Sequence, residues 1–466
     1  MRARLIRKAL SNRARTIAEW KRITVLGWPV TVQHGVRTMM RTTDLIVAGL
    51  FGPAAIAALG LANLYTQIAL WIGIGIGTSA LALSSQDTGS GADENRNEAV
   101  TQALIIGVII GIPIAILGVL FREEAILIFR APSEVVTFGA TYLAIVIATA
   151  PVRHMVIIGE KALQGSGDTL TPMFIRGGTN ILNIIGTVTL ALGVGPAPRL
   201  EIVGIAIATA GANIIGAVAV LLVFLTSWSN ISLVVPKNFV IGKQIIRISI
   251  PRSVEGLSIT AASFPLNTIL VAFSVEVYAA YEVGRTVFQQ VVGPFARSFG
   301  VVGSILTGQS IGNQQPEDAR FSINALALFS ILTISVLAAS MILFPQRLAA
   351  LFSDDPATGT TAVAFIVAFA ISAPFASLFR IYSGALQGAG ETTKPFLAEV
   401  TGVFGFLLGL TYVGGVLLDG GVVYAYAGVV AYSVWRLGLI YVWYNQTAWI
   451  DSAMRDLKER GSIQGD

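Results

Sequence analysis

The ten residues Leu163-Gln-Gly-Ser-Gly-Asp-Thr-Leu-Thr-Pro172 recur 223 positions later as Leu386-Gln-Gly-Ala-Gly-Glu-Thr-Thr-Lys-Pro395. Other pairs keep the same register: Ala150-Pro151 recurs as Ala373-Pro374, and Phe121 to Phe129 recurs as Phe344 to Phe352. A single glycine-rich turn would be weak evidence, but several matches in one register indicate an internal duplication. The sequence therefore predicts two equivalent halves.

The composition places both halves in a membrane. Of 466 residues, 54% are hydrophobic and 12% charged, whereas soluble domains have about 45–50% apolar and about 25% charged residues. This composition excludes a soluble enzyme, a disordered chain and a nucleic-acid binder. With 0 cysteines and 2 histidines, a disulfide, a thiolate metal site and a histidine-rich metal centre are also excluded. We expect neither a metal nor a cofactor.

Apolar runs long enough to cross a bilayer, which takes about 20 residues, recur along the chain in two groups of six. They lie near 23–50, 55–84, 99–121, 135–158, 171–193, 201–226, 243–273, 277–307, 321–344, 358–383, 395–416 and 422–447. The sequence predicts an all-α integral membrane protein with twelve transmembrane helices in two six-helix bundles. Its predicted parts are a basic tail (1–22), an N-lobe (23–226), a linker (227–242), a C-lobe (243–447) and a C-terminal tail (448–466).

The distribution of Lys and Arg predicts the orientation in the membrane. The N-terminal tail carries Arg2, Arg4, Arg7, Lys8, Arg13, Arg15, Lys21 and Arg22, while the loops of the opposite side carry Arg122, Arg130, Arg199 and Arg347. Because cytoplasmic loops are enriched in Lys and Arg, we expect both termini to be cytoplasmic, in a multi-pass protein of the plasma (inner) membrane. An even number of spans in each half makes the halves parallel, related by a pseudo-twofold axis along the membrane normal.

Several motifs together resemble the multidrug and toxic compound extrusion (MATE) family. They are the first helix from Pro29 to Asp44, Ala48-Gly49-Leu50, Ala58-Leu59-Gly60-Leu61, Leu163-Gln-Gly-Ser-Gly-Asp168, Gly308-Gln-Ser-Ile-Gly312 and Leu386-Gln-Gly-Ala-Gly-Glu391. The resemblance covers about residues 20 to 447. It implies a secondary transporter in which two lobes alternately open a central site to each side of the membrane.

The first span carries an unusual set of polar residues. His34, Arg37, Arg41 and Asp44 follow one another at spacings of 3, 4 and 3 residues, so they share one helical face. Arg41 and Asp44 are placed to form an ion pair. Asp44 is then either part of a structural salt bridge or a carboxylate that faces a cavity. The MATE resemblance implies the second role, because the family's first-helix acid serves ion coupling.

The resemblance also implies ion-coupling residues in the fifth span. In the proton-coupled branch of the family this helix carries an Asn and a nearby second Asp. Asn180 matches the first, whereas the second acid is absent and Asn183 is the nearest polar group. We expect Asn180 and Asn183 to hydrogen-bond Asp44. One carboxylate beside an arginine suits a single proton, and Na⁺ is the alternative coupling ion.

Other ionisable residues inside the spans are candidates for the substrate cavity. Besides Arg37 and Arg41, they are Arg176, Glu255, Glu282 and Glu399. Pairing inside one helix is the alternative for Arg252 with Glu255 and for Glu282 with Arg285, since each pair is three residues apart.

Two further expectations concern how these charges are arranged. The repeat places Arg176 opposite Glu399, which raises the hypothesis of a latch between the lobes. Five other arginines near span ends are expected to extend to the interface, namely Arg153, Arg247, Arg252, Arg380 and Arg436.

The sequence thus predicts a non-enzymatic antiporter that exports small amphipathic compounds, expected to be cationic, in exchange for H⁺ or Na⁺. A nucleotide-binding loop of the type that ATP-driven pumps use is absent. We expect the chain to work as a monomer in the lipid bilayer, without nucleic acid. The alternatives are export of anionic metabolites, favoured if Arg37 and Arg41 face the cavity, and flipping of lipid-linked precursors. An intramembrane enzyme is disfavoured because the one Asp pair, Asp354-Asp355, lies in a loop.

Overall fold

The computed structural model describes residues 2–352 and 355–463 of the chain. Asp354 of the predicted loop pair, the end of the predicted C-terminal tail, and the side chains of Arg2, Arg4, Arg7 and Lys8 lie outside the described part. The described residues form helices and loops, without a β-strand. The all-α class predicted from the sequence is confirmed.

Eighteen α-helices follow one another along the described chain, with π-helical turns at Val403–Leu408 and Val413–Leu417. They are α1 (Arg2–Gly49), α2 (Pro53–Ser90), α3 (Asp93–Leu120), α4 (Arg122–Leu127), α5 (Ser133–Ile147), α6 (Ala150–Gly165), α7 (Leu170–Leu192), α8 (Glu201–Leu225), α9 (Phe239–Phe273), α10 (Val275–Val291), α11 (Gly293–Gly312), α12 (Pro316–Leu343), α13 (Pro345–Ala350), α14 (Pro356–Gly388), α15 (Thr393–Gly402), α16 (Gly409–Tyr412), α17 (Val423–Asn445) and α18 (Ala448–Glu459).

Each of the twelve predicted spans coincides with a helix or with consecutive helices. Among the described residues, 8 helices are long and apolar enough to cross a membrane, and up to 10 spans result if each bent pair counts as one. The bent pairs are α5 with α6, at 51°, and α10 with α11, at 52°. The two remaining predicted spans lie in α1 and α7, whose polar faces hold the first candidate site residues.

The duplication is visible in the order of the helices. The short helices α4 (Arg122–Leu127) and α13 (Pro345–Ala350) occupy equivalent positions 223 residues apart, where the repeated stretch predicts them. The halves place their bends in different spans, however. The α5–α6 pair bends just before Pro151, whereas its counterpart α14 runs through Pro374 as one helix. A proline inside a span therefore does not by itself determine a kink here.

The described chain divides into two compact units. The first consists of Met1–Thr31 and Val254–Leu457, and the second of Val32–Ser253 and Lys458–Asp466. The second unit contains two clusters of buried apolar side chains, one centred on α2, α5 and α8 and one on α2, α3, α6 and α9. These boundaries differ from those of the predicted lobes. The division into two lobes that move during transport stays a prediction.

Polar contacts hold parts of the predicted tail and linker against neighbouring helices. Residues of the basic tail form the beginning of α1, where Arg15 pairs with Asp318 at 2.6 Å and the Trp20 indole donates to the carbonyl of Ala325 at 3.0 Å. In the linker, the backbone N–H groups of Lys237 and Asn238 donate to the carboxylate of Glu98. Polar contacts thus fix both segments to the neighbouring helices.

The C-terminal segment is anchored inside the second unit by Arg460, a fully buried arginine. Its guanidinium donates to Asp87 at 2.7 and 2.9 Å, to Gln86 at 2.9 Å and to Gln244 at 3.1 Å. The hydroxyl of Ser462 donates to the same carboxylate at 2.8 Å. A buried ion pair of this kind is sensitive to the loss of either partner, because the other charge is then left in a medium of low polarity.

Small residues let α14 and α11 approach each other closely. A Cβ atom on Gly384 would lie 2.0 Å from the carbonyl oxygen of Gly300, and one on Gly388 would lie 2.2 Å from that of Ser304. Both pairs are four residues apart, which is the small-xxx-small pattern of closely packed membrane helices. The backbones themselves form this contact, so a side chain there has no space.

We therefore expect Gly384→Ala to destabilise the protein by about 1–3 kcal/mol, the usual cost of overpacking. The measurement is the thermal unfolding midpoint of the purified protein in detergent. Gly438→Ala is the matched control, because a Cβ at Gly438 in α17 would meet open space. Equal midpoints for the two variants would contradict this account of the α11–α14 contact.

Candidate functional site

The polar face of α1 forms one wall of the candidate site. Gln33, Arg37, Arg41 and Asp44 lie on successive turns of the helix, within the second unit. Gln33 accepts a hydrogen bond from Gln164 of α6 at 3.0 Å. Exposure varies along this face, since Gln33 and Asp44 are buried, at 6% and 7% exposed, whereas Arg41 between them is solvent-accessible. The shared face predicted from the sequence thus leads to a buried carboxylate.

The partner of Asp44 is a threonine that the sequence analysis did not select. The Thr187 hydroxyl of α7 donates to Asp44 Oδ1 at 2.9 Å. Asn183, one turn earlier, instead donates to the Thr209 hydroxyl at 3.2 Å. The expectation that Asn180 and Asn183 bind Asp44 directly is therefore corrected. All three residues of α7 are buried on one face, and their spacing of three and four residues was the signal that could have identified Thr187.

A buried tyrosine completes the surroundings of Asp44. Tyr142 of α5 is 3% exposed, and its hydroxyl contacts the side chain of Thr209 within reach of the charges of Asp44, Arg41 and Arg153. Polar groups from α1, α5, α7 and α8 therefore meet around one carboxylate. A tyrosine in an apolar span carries no sequence signal for such a position.

A second group of charges lies beside α6 and α7 in the same unit. Arg176 pairs with Glu160 at 2.8 Å, and Arg37 and Lys161 lie within electrostatic range of the same carboxylate. The sequence analysis missed Glu160 and assigned Lys161 to a loop, because the fourth span was predicted to end at residue 158. Helix α6 continues to Gly165 and carries both residues inside the bundle.

Arg153 also departs from its expected position. It was expected to extend to the interface, but its guanidinium donates to the carbonyl of Thr66 at 3.3 Å and interacts with the charges of Arg41 and Arg176. Three arginines from α1, α6 and α7 are thus linked by electrostatic interactions with Arg153. Arginines within electrostatic range of one another indicate a region of positive potential in the second unit.

The first unit holds a separate buried ion pair. Arg436 of α17 donates to Glu399 of α15 at 3.0 Å, and the Tyr432 hydroxyl donates to the same carboxylate. Glu255 of α9 acts electrostatically on Arg436 as well. Arg436 is buried rather than extended to the interface, which corrects that expectation. The hypothesis of an Arg176–Glu399 latch is also corrected, because each residue has its ion pair within its own unit.

The remaining candidate of the sequence analysis is paired inside one helix. Glu282 and Arg285 of α10 are joined by hydrogen bonds, one of them from Arg285 Nε to Glu282 Oε1 at 3.1 Å. The half-exposed position of this pair is that of a local salt bridge. The alternative of pairing within one helix is therefore confirmed for Glu282.

Asp44 is subject to opposing electrostatic effects from its surroundings. Among the described residues, no group of three or more His, Cys, Asp or Glu side chains is placed to hold a metal ion. Low polarity around a carboxylate disfavours its charge, whereas a neighbouring cation such as Arg41 and a hydroxyl donor such as Thr187 favour it. Opposing effects of this kind suit a group that changes its protonation state. They do not assemble a nucleophile and its base.

Comparisons with known proteins identify the family of the chain. The family model MatE matches the chain twice, at residues 29–189 and 251–413, once in each half. The uncharacterized transporter YisQ of Bacillus subtilis is 25% identical over 441 residues, covering 92% of this chain and 95% of that protein. The probable multidrug resistance protein NorM of Thermotoga maritima is 22% identical, with 92% and 93% covered.

Solved structures show the same fold. An outward-facing multidrug resistance MATE transporter of the MOP superfamily superposes with a TM-score of 0.86 at 19% identity, covering 94% of this chain and 97% of that one. A MOP superfamily transporter from Pyrococcus furiosus gives 0.84 at 19% identity, with 95% and 97% covered. With both halves matched by the family model, the chain belongs to the MatE family and is a multi-pass membrane transporter of the MATE type rather than an enzyme.

Proposed function

We propose that this transporter is a secondary antiporter that exports small amphipathic compounds in exchange for a cation, with Asp44 as the coupling carboxylate. The observation that carries the proposal is the buried position of Asp44, held by Thr187 at 2.9 Å one turn after the solvent-accessible Arg41. An ionisable group at such a depth is costly in a membrane protein and marks function.

A proton is the coupling ion that these surroundings favour. Asp44 is a single carboxylate, and the guanidinium of Arg41 on the preceding turn repels a second cation. Na⁺ remains the second candidate because of Asn183, whose Oδ1 is buried without a hydrogen-bond partner among the described residues. An amide oxygen of this kind is a ligand for a hard cation, or an acceptor for the proton of a neutral carboxyl group.

Antiport follows if the ion and the substrate stabilise different states. Each ligand shifts the equilibrium between conformations only by its difference in affinity for them. Protonated Asp44 would favour the inward-open state, from which the proton is released inside, and bound substrate would favour the outward-open state, from which the substrate leaves. We further propose that the protein works as a monomer in the inner membrane. Both termini are then cytoplasmic, as the distribution of Lys and Arg predicts.

Transport in proteoliposomes tests the coupling ion. Purified protein is reconstituted, and the pH gradient and the sodium gradient are imposed separately. The dyes are rhodamine 6G, a cation, and carboxyfluorescein, an anion with the same xanthene core. We expect a proton gradient alone to drive transport of at least one dye against its own gradient. Transport by the sodium gradient alone would select Na⁺, and no response to either gradient would contradict antiport.

Thr187 is expected to act as a positioning residue for Asp44. Thr187→Val keeps the shape but removes the donor, and a hydrogen bond to a charged group contributes about 1.5–3 kcal/mol. We expect proton-driven transport to fall about tenfold and its pH profile to shift to higher pH, because the ionised form of Asp44 loses its donor. The control is Thr189→Val, which removes a hydroxyl bonded to the Ile185 carbonyl on the exposed side of α7. An unchanged pH profile in Thr187→Val would argue against this role.

A further inference from the structure

Three arginines of the second unit outnumber the acids beside them among the described residues. Arg41 lies near Asp44, Arg176 pairs with Glu160 at 2.8 Å, and Arg153 lies within electrostatic range of both arginines. Like charges repel strongly where water is scarce, since their interaction is several times larger at low dielectric than in bulk water. The excess positive charge therefore requires a compensating charge or a function.

The two acids do not supply that compensation at the centre of the cluster. Glu160 is held by Arg176 at 2.8 Å, and Asp44 is held by Thr187 at 2.9 Å. The acceptors of the other two central arginines are neutral oxygens at long distance. Arg41 donates to the Gln67 amide at 3.4 Å and Arg153 to the Thr66 carbonyl at 3.3 Å. Each guanidinium has five N–H donors, so these two bonds use only a small part of the donor capacity of Arg41 and Arg153.

We infer that Arg41, Arg153 and Arg176 form a binding subsite for the anionic group, a carboxylate or phosphate, of the amphipathic substrate. Three helices, α1, α6 and α7, each contribute one guanidinium to it. Arg41 and Arg153 bond to adjacent residues of α2, and Glu160, which holds Arg176, lies two turns after Arg153 on α6. Guanidinium groups bind carboxylates and phosphates through paired hydrogen bonds, which adds geometric selectivity to charge.

This inference rests on the proposed function and specifies its substrate class, replacing the cationic substrate expected from the sequence. A cationic compound would meet the excess positive charge of the same region and be repelled. The anion also occupies groups other than Asp44. Substrate and proton would therefore be coupled through the conformations that each stabilises rather than through exchange at one atom.

Equilibrium binding to the purified full-length protein in phosphatidylcholine nanodiscs tests the subsite without any gradient. The probes are carboxyfluorescein and rhodamine 6G, followed by fluorescence anisotropy. We expect carboxyfluorescein to bind more tightly, and Arg153→Gln to weaken its binding about ten- to a hundredfold with little effect on rhodamine 6G. Arg41→Gln, at an accessible position, is the second variant and should act in the same direction. The control is Arg347→Gln, which removes an exposed arginine of α13.

Several results would overturn the inference. Tighter binding of rhodamine 6G, equal binding of the two dyes or no binding of carboxyfluorescein would each do so. Unchanged affinity for carboxyfluorescein in both Arg41→Gln and Arg153→Gln would also overturn the inference. If phosphatidylglycerol in the nanodisc displaced the dye completely, the arginines would form a lipid headgroup site instead. Failure of antiport is separate, because Asp44→Asn is expected to retain carboxyfluorescein binding while losing gradient-driven transport.

Discussion

Asp44→Asn is expected to abolish proton-driven export in proteoliposomes, with a fall of about a hundredfold or more, the scale on which loss of an essential proton-transfer group is felt. The amide has nearly the size of the carboxyl group and still accepts the hydrogen bond from Thr187, so the fold should be retained. It cannot change its protonation state, however. Asp44→Glu, which keeps an ionisable group at a displaced position, should keep part of the transport rate.

The matched control is Asp419→Asn, which makes the same substitution at an exposed loop position and should leave transport unchanged. Thermal unfolding of both variants in detergent checks that they are folded. If folded Asp44→Asn protein exported substrate at the wild-type rate under an imposed pH or sodium gradient, coupling would lie elsewhere. Glu255, buried near Arg436, and Glu282 would then be the next residues to test.

Arg460→Met should produce the largest loss of stability. The substitution leaves the carboxylate of Asp87 fully buried without its guanidinium partner, and removing one member of a buried pair costs about 3–5 kcal/mol. The carboxamides of Gln86 and Gln244 lose a donor at the same time. We expect the unfolding midpoint of the purified protein to fall by several degrees. The measurement is intrinsic fluorescence during heating in detergent.

Two further variants separate this ion pair from a general effect of charge. Arg455→Met removes an exposed arginine of α18, the helix that precedes Arg460, and should leave the midpoint nearly unchanged. The double variant Asp87→Asn with Arg460→Met removes both charges, and we expect it to be more stable than Arg460→Met alone. A double variant that is the less stable of the two would show that the buried charge is not the cause of the loss.

Much of the fold could be predicted because it depends on local hydropathy and on a repeat that is visible in the sequence. Hydropathy indicates where spans occur, and the 223-residue repeat indicates that the two halves are equivalent, as the matching positions of the short helices α4 and α13 show. The predicted end of the fourth span was wrong. The prediction ended the fourth span at residue 158, whereas α6 continues to Gly165, so Glu160 and Lys161 were left out of the interior. Hydropathy falls wherever charges begin, whether the helix leaves the membrane or turns those charges inward.

The site was predicted only in part, because the sequence does not determine which side chains meet between neighbouring helices. Spacing placed Arg37, Arg41 and Asp44 on one face, which depends on α1 alone. The identity of a partner depends instead on how neighbouring helices are rotated and offset. For that reason Thr187 rather than Asn183 bonds to Asp44, and Arg176 pairs with Glu160 rather than Glu399. One sequence contains no direct record of these contacts between helices.

The most direct test of proton coupling at Asp44 is the release of protons when substrate binds. Purified protein in weakly buffered detergent solution receives carboxyfluorescein or rhodamine 6G, and the change in pH is followed with an electrode. Because ligands that stabilise different states oppose each other's binding, wild-type protein should release protons on addition of the dye it binds. Asp44→Asn should bind the same dye and release none. Equal proton release by the two proteins, or none by either while the dye binds, would contradict the account.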